Sequence, residues 1–275
     1  MSAELELLLA GVERCEGVYY LSDPAAHAER EDRYWRVRAR ENRLYPDEVV
    51  RALPEIATDH PLAQEWGARA DSLGRLADYV ARLQRGLDVL DLGCGNGWMA
   101  HQLAALPNVR VYGLDLNRRE LAQAARVFIE RPRLKFLYGD VFAAPLPPRS
   151  FHLIVSASVI QYFADLPALL RRLLELCVPG GEVHVLDSPL YAAGEVEAAR
   201  ERTRRYYAQK GLAFMADDYH HHLRSAFAEF RPETVYDPRS PLNRLTQWWW
   251  EALAITTPRS PFPWLKITAP DRAAG

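Results

Sequence analysis

The stretch Leu87-Asp88-Val89-Leu90-Asp91-Leu92-Gly93-Cys94-Gly95-Asn96-Gly97 decides how the rest of the chain is read. Its first six residues form a short apolar run, broken by Asp88 and Asp91, with the length of a buried strand. Glycines at alternate positions then allow a sharp turn and a close approach of backbone to a ligand. An apolar helical pattern through Trp98, Leu103 and Leu106 follows, which places the loop's amides at a helix N-terminus.

Working outward, strand and helix patterns alternate. Val109–Asp115 reads as a second strand, residues 118–130 as a helix, Leu134–Tyr138 as a third strand and residues 151–156 as a fourth. Residues 166–177 read as a helix opened by Asp165 and Pro167 and stopped by Pro179-Gly180-Gly181, before a fifth strand over 182–186. After Ser188 the rhythm breaks into a helix over 195–209, a His-rich segment, a strand at Glu233–Tyr236, a Trp-rich helix and a last strand at Trp264–Thr268. This order predicts an α/β fold with a mostly parallel, doubly wound sheet. Upstream, residues 23–43 are dense in charge, with Glu29/Arg33 and Asp32/Arg36 spaced for pairing along a solvent-facing helix and Tyr34, Val37 and Leu44 inward. Residues 64–83 carry Trp66, Leu73, Leu76, Tyr79, Val80 and Leu83 at helical spacing.

The 275 residues are 49% apolar and 25% charged, ordinary values for a globular chain, and wholesale disorder and coiled-coil rods are excluded. With 34 basic and 36 acidic side chains, the balance argues against a nucleic-acid backbone as the main partner. Cys15, Cys94 and Cys177 lie too far apart for paired-thiol motifs, so neither a disulfide scaffold nor a thiolate zinc site is expected. The start lacks a basic leader region and no apolar run reaches the ~20 residues of a membrane span; a cytoplasmic protein is expected.

The loop is G-x-G-x-G behind the acid Asp91, with Trp98 where a dinucleotide fingerprint has its third glycine. It resembles the signature loop of class I S-adenosylmethionine-dependent methyltransferases, and the resemblance runs over roughly residues 87–189. It implies a Rossmann-like, seven-stranded sheet, with residues 1–60 as a helical cap or lead-in. Residues 61–275 would be the methyltransferase domain, with acceptor-side insertions at about 190–230 and 238–262. It also implies S-adenosylmethionine as cofactor. Gly93, Gly95 and Gly97 would approach its methionine and ribose parts, Asp91 would either join the cofactor site or fix the loop, and Asp115 would accept the ribose hydroxyls. Asp140, beside Val141, would accept from the adenine amine between Leu116 and Phe142, and Ser156 would edge the methionine. Two departures stand out: the fourth strand opens Phe151-His152, and Gln161-Tyr162 replaces the histidines many relatives carry there. No catalytic histidine can be carried over to that place.

For the acceptor, Ser156-Ala157-Ser158-Val159 lacks the prolines of nucleic-acid amino-methylating enzymes, so a small molecule is expected, methylated on oxygen or nitrogen. The base is unassigned. His220, His221, His222 and Tyr162 are the candidates, although on a helix three consecutive residues fan out by about 100° each. A solvated or capping histidine cluster is the plain alternative, and no metal site is expected. Trp248-Trp249-Trp250 has the same geometry, so one ring would meet a cleft, a lid or the contact of a homodimer. Tyr34-Trp35 could belong to a lid. The rival readings are a nicotinamide oxidoreductase, a non-catalytic S-adenosylmethionine-binding protein, and a methyltransferase acting on protein or RNA.

Overall fold

The computed structural model describes residues 3–241, 243 and 259–271. In chain order its elements are α1 (Ala3–Gly11), β1 (Arg14–Cys15), β2 (Val18–Tyr20), α2 (Ala28–Arg40), α3 (Asp47–Ala52), α4 (Ala63–Arg82) and β3 (Leu87–Leu92). There follow α5 (Trp98–Ala104), β4 (Val109–Asp115), α6 (Arg118–Val127), β5 (Leu134–Tyr138), β6 (Phe151–Ala157), α7 (Leu166–Leu176) and β7 (Cys177–Leu186). The last are α8 (Val196–Gln209), α9 (Met215–Asp218), β8 (Glu233–Tyr236) and β9 (Trp264–Thr268).

The strands make one sheet in the order β1-β2-β5-β4-β3-β6-β7-β9-β8. The five strands from β5 to β7 are mutually parallel, and β9 is antiparallel to both β7 and β8. Every residue of β3 is buried, as expected for a central strand covered on both faces. One face packs under α4, α5 and α6 through Leu76, Val80, Leu103, Leu121 and Ala124, and the other under α1 and α7 through Leu5, Leu169, Leu170 and Leu173. α6 starts on Asn117, whose side chain accepts the amides of Arg119 and Glu120, and α7 starts on Asp165, which accepts that of Ala168.

Among the described residues the sheet has nine strands, not the expected seven. The added pair, β1 and β2, comes from the lead-in expected to be helical. Glu16 and Gly17, both at positive φ (47° and 85°), close a tight hairpin, and β2 pairs in parallel with β5. Val18 is fully buried there, which gives so short a strand its anchor. Pro179-Gly180-Gly181 also lies inside β7 and not ahead of it, where an irregularity in the β6 pairing absorbs it. The charges of α2 do not pair along the helix. Arg33 reaches Asp218 at 2.6 Å and Asp32 reaches Arg119 at 3.1 Å, so the helix is strapped across the sheet's carboxyl edge. Val37 is buried as expected, whereas Leu44 is exposed. The three tryptophans 248–250 lie outside the described residues.

Candidate functional site

At the carboxyl end of the parallel strands, the loop 93–97 turns on three glycines in the left-handed region, with φ of 70°, 52° and 76° at Gly93, Gly95 and Gly97. Only two of them are demanded by packing. A Cβ on Gly93 would stand 2.5 Å from Val159, and one on Gly97 2.6 Å from the Phe136 ring. A Cβ on Gly95 would meet nothing closer than Glu120 Oε2 at 3.5 Å, so its bareness serves the cleft side. The neighbouring Cys94 packs over Gly113, and burial with the charge of Asp115 pushes its thiol well up, away from nucleophilic duty.

The acids at the strand ends are held in different ways. Asp115 Oδ2 accepts the Gly95 amide at 2.8 Å and Oδ1 the Asn117 amide at 2.8 Å, so each oxygen keeps a lone pair. Burial and the Glu120 charge lift it to about 6. Asp91 is buried, its Oδ2 has no partner, and burial with the Asp115 charge lifts it to about 7. Asp140 receives the Phe142 amide at 2.9 Å, while its own amide donates to Ser22 Oγ at 3.2 Å. Ser156 is buried and its hydroxyl has no partner.

Asp91, Gly93, Gly95, Asp115 and Asp140 border two adjoining compartments, whereas Gly97 and the fully buried Ser156 line neither. The smaller, of about 490 Å³, is edged by Asp115, Leu116, Asp140, Val141 and Phe142 and roofed by α2; the Phe142 ring, 47% exposed, is free to face a ligand. The larger, of about 1550 Å³, includes Asp91, Gly95, Gln161 and Asp187 on its walls. Gly93, Ser158, Tyr34 and Tyr162 line both, so the two compartments adjoin at the first glycine of the loop. Tyr34 and Tyr162 meet edge to face there, with centroids 5.6 Å apart.

The histidine row lies outside any helix, just past α9. Only His220 borders the smaller compartment; His221 pairs with Thr203 Oγ1 at 2.9 Å, and His222 is buried with Nε2 donating to the Ile160 carbonyl at 2.9 Å. Burial pushes both His221 and His222 below the usual imidazole range, so neither is a cation at neutral pH. Among the described residues, no group of three or more His, Cys, Asp or Glu could hold a metal ion, and no helix is long and apolar enough to cross a membrane.

Three residues missed in the sequence shape the site. Asp187, just past β7, sits at φ 50°, and its Oδ1 accepts from Ser72 Oγ at 2.6 Å and from Ser260 Oγ at 2.8 Å while Oδ2 stays unpartnered. Glu120 is buried and takes the Arg38 guanidinium from α2 at 2.8 Å. Glu31 accepts the Arg118 amide and, at 2.8 Å, its Nε, capping α6 from another helix.

Residues 89–181 match the family described as a methyltransferase domain. That stretch is a methyltransferase domain. It contains the glycine loop, Asp91, Asp115, Asp140 and Ser156, and it ends within β7. The chain is 32% identical over 139 residues to the 2-phytyl-1,4-naphtoquinone methyltransferase of Thermosynechococcus vestitus, covering 50% of this chain and 60% of that one. It is 29% identical over 170 residues to the 27-O-demethylrifamycin SV methyltransferase of Amycolatopsis mediterranei, covering 59% and 62%. The chain thus spans about three-fifths of the length of these curated relatives. The YcgJ protein of Bacillus subtilis shares the fold, with a TM-score of 0.53 at 17% identity over 73% of this chain and 99% of that one.

The methyltransferase domain has the chemistry its cofactor requires. A fixed carboxylate with lone pairs on both oxygens suits a diol, a buried unpartnered acid suits a cation, and an exposed aromatic ring beside a half-buried leucine suits a purine. The residues present fit S-adenosylmethionine.

Proposed function

We propose that the chain catalyses methyl transfer from S-adenosylmethionine to a small-molecule acceptor, with oxygen or nitrogen as the attacking atom. The sharing of Gly93, Ser158, Tyr34 and Tyr162 by the two compartments carries this reading, because it would bring a nucleoside and a second molecule to the same four residues. Asp115 would hold the ribose diol, Asp140 the adenine amine, Leu116 and Phe142 the purine faces, and Asp91, Gly93 and Ser156 the amino-acid end. When bound, the cofactor supplies an electrophilic methyl carbon on a positively charged sulfur.

The chain's remaining task is to present an acceptor in line with that carbon, and positioning alone supplies several kcal/mol of barrier lowering. Residues 1–60 would form the roof through α2. Residues 190–230 and 238–262 would build the acceptor side, where Tyr207, Tyr219 and Tyr236 already line the larger compartment. Oxygen and nitrogen bring their own lone pair and need only a proton acceptor. Asp187, with one oxygen pinned by two hydroxyls and the other unpartnered, is the carboxylate on the acceptor side able to take that proton. Support for a small acceptor comes from the two relatives, named for a naphthoquinone and a rifamycin.

Calorimetry with S-adenosylhomocysteine and with NADH tests the reading. The nucleoside should bind with one-to-one stoichiometry and the dinucleotide should not. The reverse result would overturn it in favour of an oxidoreductase, and binding without methyl transfer to any hydroxyl or amine acceptor would leave a cofactor-binding protein.

A further inference from the structure

The wall of the larger compartment carries a row of tyrosines from four separate segments: Tyr34 on α2, Tyr162 after β6, Tyr207 on α8 and Tyr219 after α9. Successive rings stand 5.6, 6.2 and 6.3 Å apart between centroids, and the first two pairs are nearly perpendicular, at 85° and 84°. They form a row that begins where the two compartments adjoin, not a ring closed about one point. Such a row offers alternating faces and edges, the two partners an aromatic ligand uses in offset and T-shaped contacts.

Two kinds of ligand favour aromatic walls: cations, held over ring faces, and flat rings. The protein's own cations separate them. Arg38 stands 6.0 Å from the Tyr34 centroid, Arg69 5.2 Å from that of Trp66 and Arg75 4.1 Å from that of Tyr236, and each of these three rings lines the compartment. The seats where an ammonium would lie are thus filled by guanidinium groups. Among the described residues, no cation stands over Tyr162, Tyr207 or Tyr219.

Resting on the methyl-transfer reading, the geometry points to a planar aromatic ring system as the acceptor, laid against the partly buried Tyr162 and Tyr219, which the buried Tyr207 backs, with its reactive edge toward Gly93 and Ser158. The compartment's volume of about 1550 Å³ exceeds what a metabolite of a few carbons fills, and it accommodates fused rings. Tyr219 is the specificity-determining member, because it contacts both Tyr162 and Tyr207 and borders only the acceptor side.

The test uses the full chain saturated with S-adenosylhomocysteine, titrated by calorimetry with 2-naphthol and, separately, with choline. We expect 2-naphthol to bind at least about tenfold more tightly than choline, and Tyr219→Leu to weaken it by about tenfold. Tyr219→Phe, which keeps the ring, should stay within about twofold of the native chain, and the nucleoside affinity should be the same in all three proteins. Choline binding as tightly as 2-naphthol would overturn the inference in favour of an ammonium cage. So would a Phe variant as weak as the Leu variant, which would assign the recognition to the hydroxyl. Failure of 2-naphthol on a protein that still binds the nucleoside sinks the aromatic acceptor and leaves methyl transfer standing; failure of the nucleoside itself sinks both.

Discussion

Asp115 closes β4 and Gly95 lies in the loop after β3, yet the Asp115 carboxylate takes the Gly95 amide at 2.8 Å and so ties the two strand ends into one rim. The same group that would hold a ribose thereby also sets the shape of the glycine loop.

Asp115→Ala should weaken S-adenosylhomocysteine by a factor of about 5–150, the loss of about 1–3 kcal/mol when a buried diol has no acceptor. Asp115→Asn should fall between, since one oxygen remains for Gly95. Isothermal titration measures both. Unchanged affinity in the Ala variant would remove Asp115 from the cofactor site.

Asp91 should contribute a stability to the free protein that is lost as pH rises through the acid-to-neutral range. Burial and the Asp115 charge place Asp91 at about 7 in the folded chain, against an ordinary value of 3.8. The folded state therefore binds this proton more tightly than the unfolded state, and this contribution falls as pH climbs from about 4 to about 7. Asp91→Asn should cost little at pH 4 and stabilise by about 1–3 kcal/mol at pH 8, a rise of a few degrees in Tm. Thermal melts at the two pH values check it. A variant no more stable at pH 8 than the native chain would refute the buried-charge account.

Gly97→Ala and Gly95→Ala should behave oppositely. At Gly97 the new methyl would press on the Phe136 ring at 2.6 Å and sit at φ 76°, which together cost about 2–5 kcal/mol. At Gly95 the methyl meets only Glu120 at 3.5 Å, so the backbone term of about 1–2 kcal/mol remains. Urea denaturation should show the first loss as the larger, whereas calorimetry should show Gly95→Ala folded and poor at binding the nucleoside. Equal stability losses would contradict the packing argument.

Glu31→Ala should destabilise by about 1–3 kcal/mol, because it strips the Arg118 amide of its acceptor at the start of α6. Arg118→Ala should cost less. Its side chain is 43% exposed, so the ionic part is screened, and the amide keeps its partner. Denaturation at low and high salt distinguishes the two, since only the ionic share responds to salt.

The strand-end positions of Asp91, Asp115 and Asp140 were readable because each acid stands at or just past an apolar run that forms a strand. Asp187, Glu31 and Glu120 were not readable. Their partners Ser72, Arg118 and Arg38 lie 115, 87 and 82 residues away, beyond any local pattern. The hairpin β1–β2 escaped because two- and three-residue strands show no alternation, although Glu16-Gly17 ahead of Val18-Tyr19-Tyr20 is a turn signal in hindsight. The histidine row lies outside any helix, so helical fanning does not apply to it, and its side chains are held by Thr203 and the Ile160 carbonyl, distant in sequence.

The pairing of β2 with β5 constrains how the pocket can admit a nucleoside. Tyr20 lies beside Tyr138, two residues before Asp140, and Leu21 donates its amide to the Tyr138 carbonyl at 2.8 Å. The roof helix is therefore tethered at its upstream end to the strand whose tip carries the adenine-side acid. Any swing of that helix about the connection from Ser22 to His27 would have to part Glu31 from Arg118, Arg33 from Asp218 and Arg38 from Glu120, so admission of a nucleoside is coupled to the breaking of these three clasps.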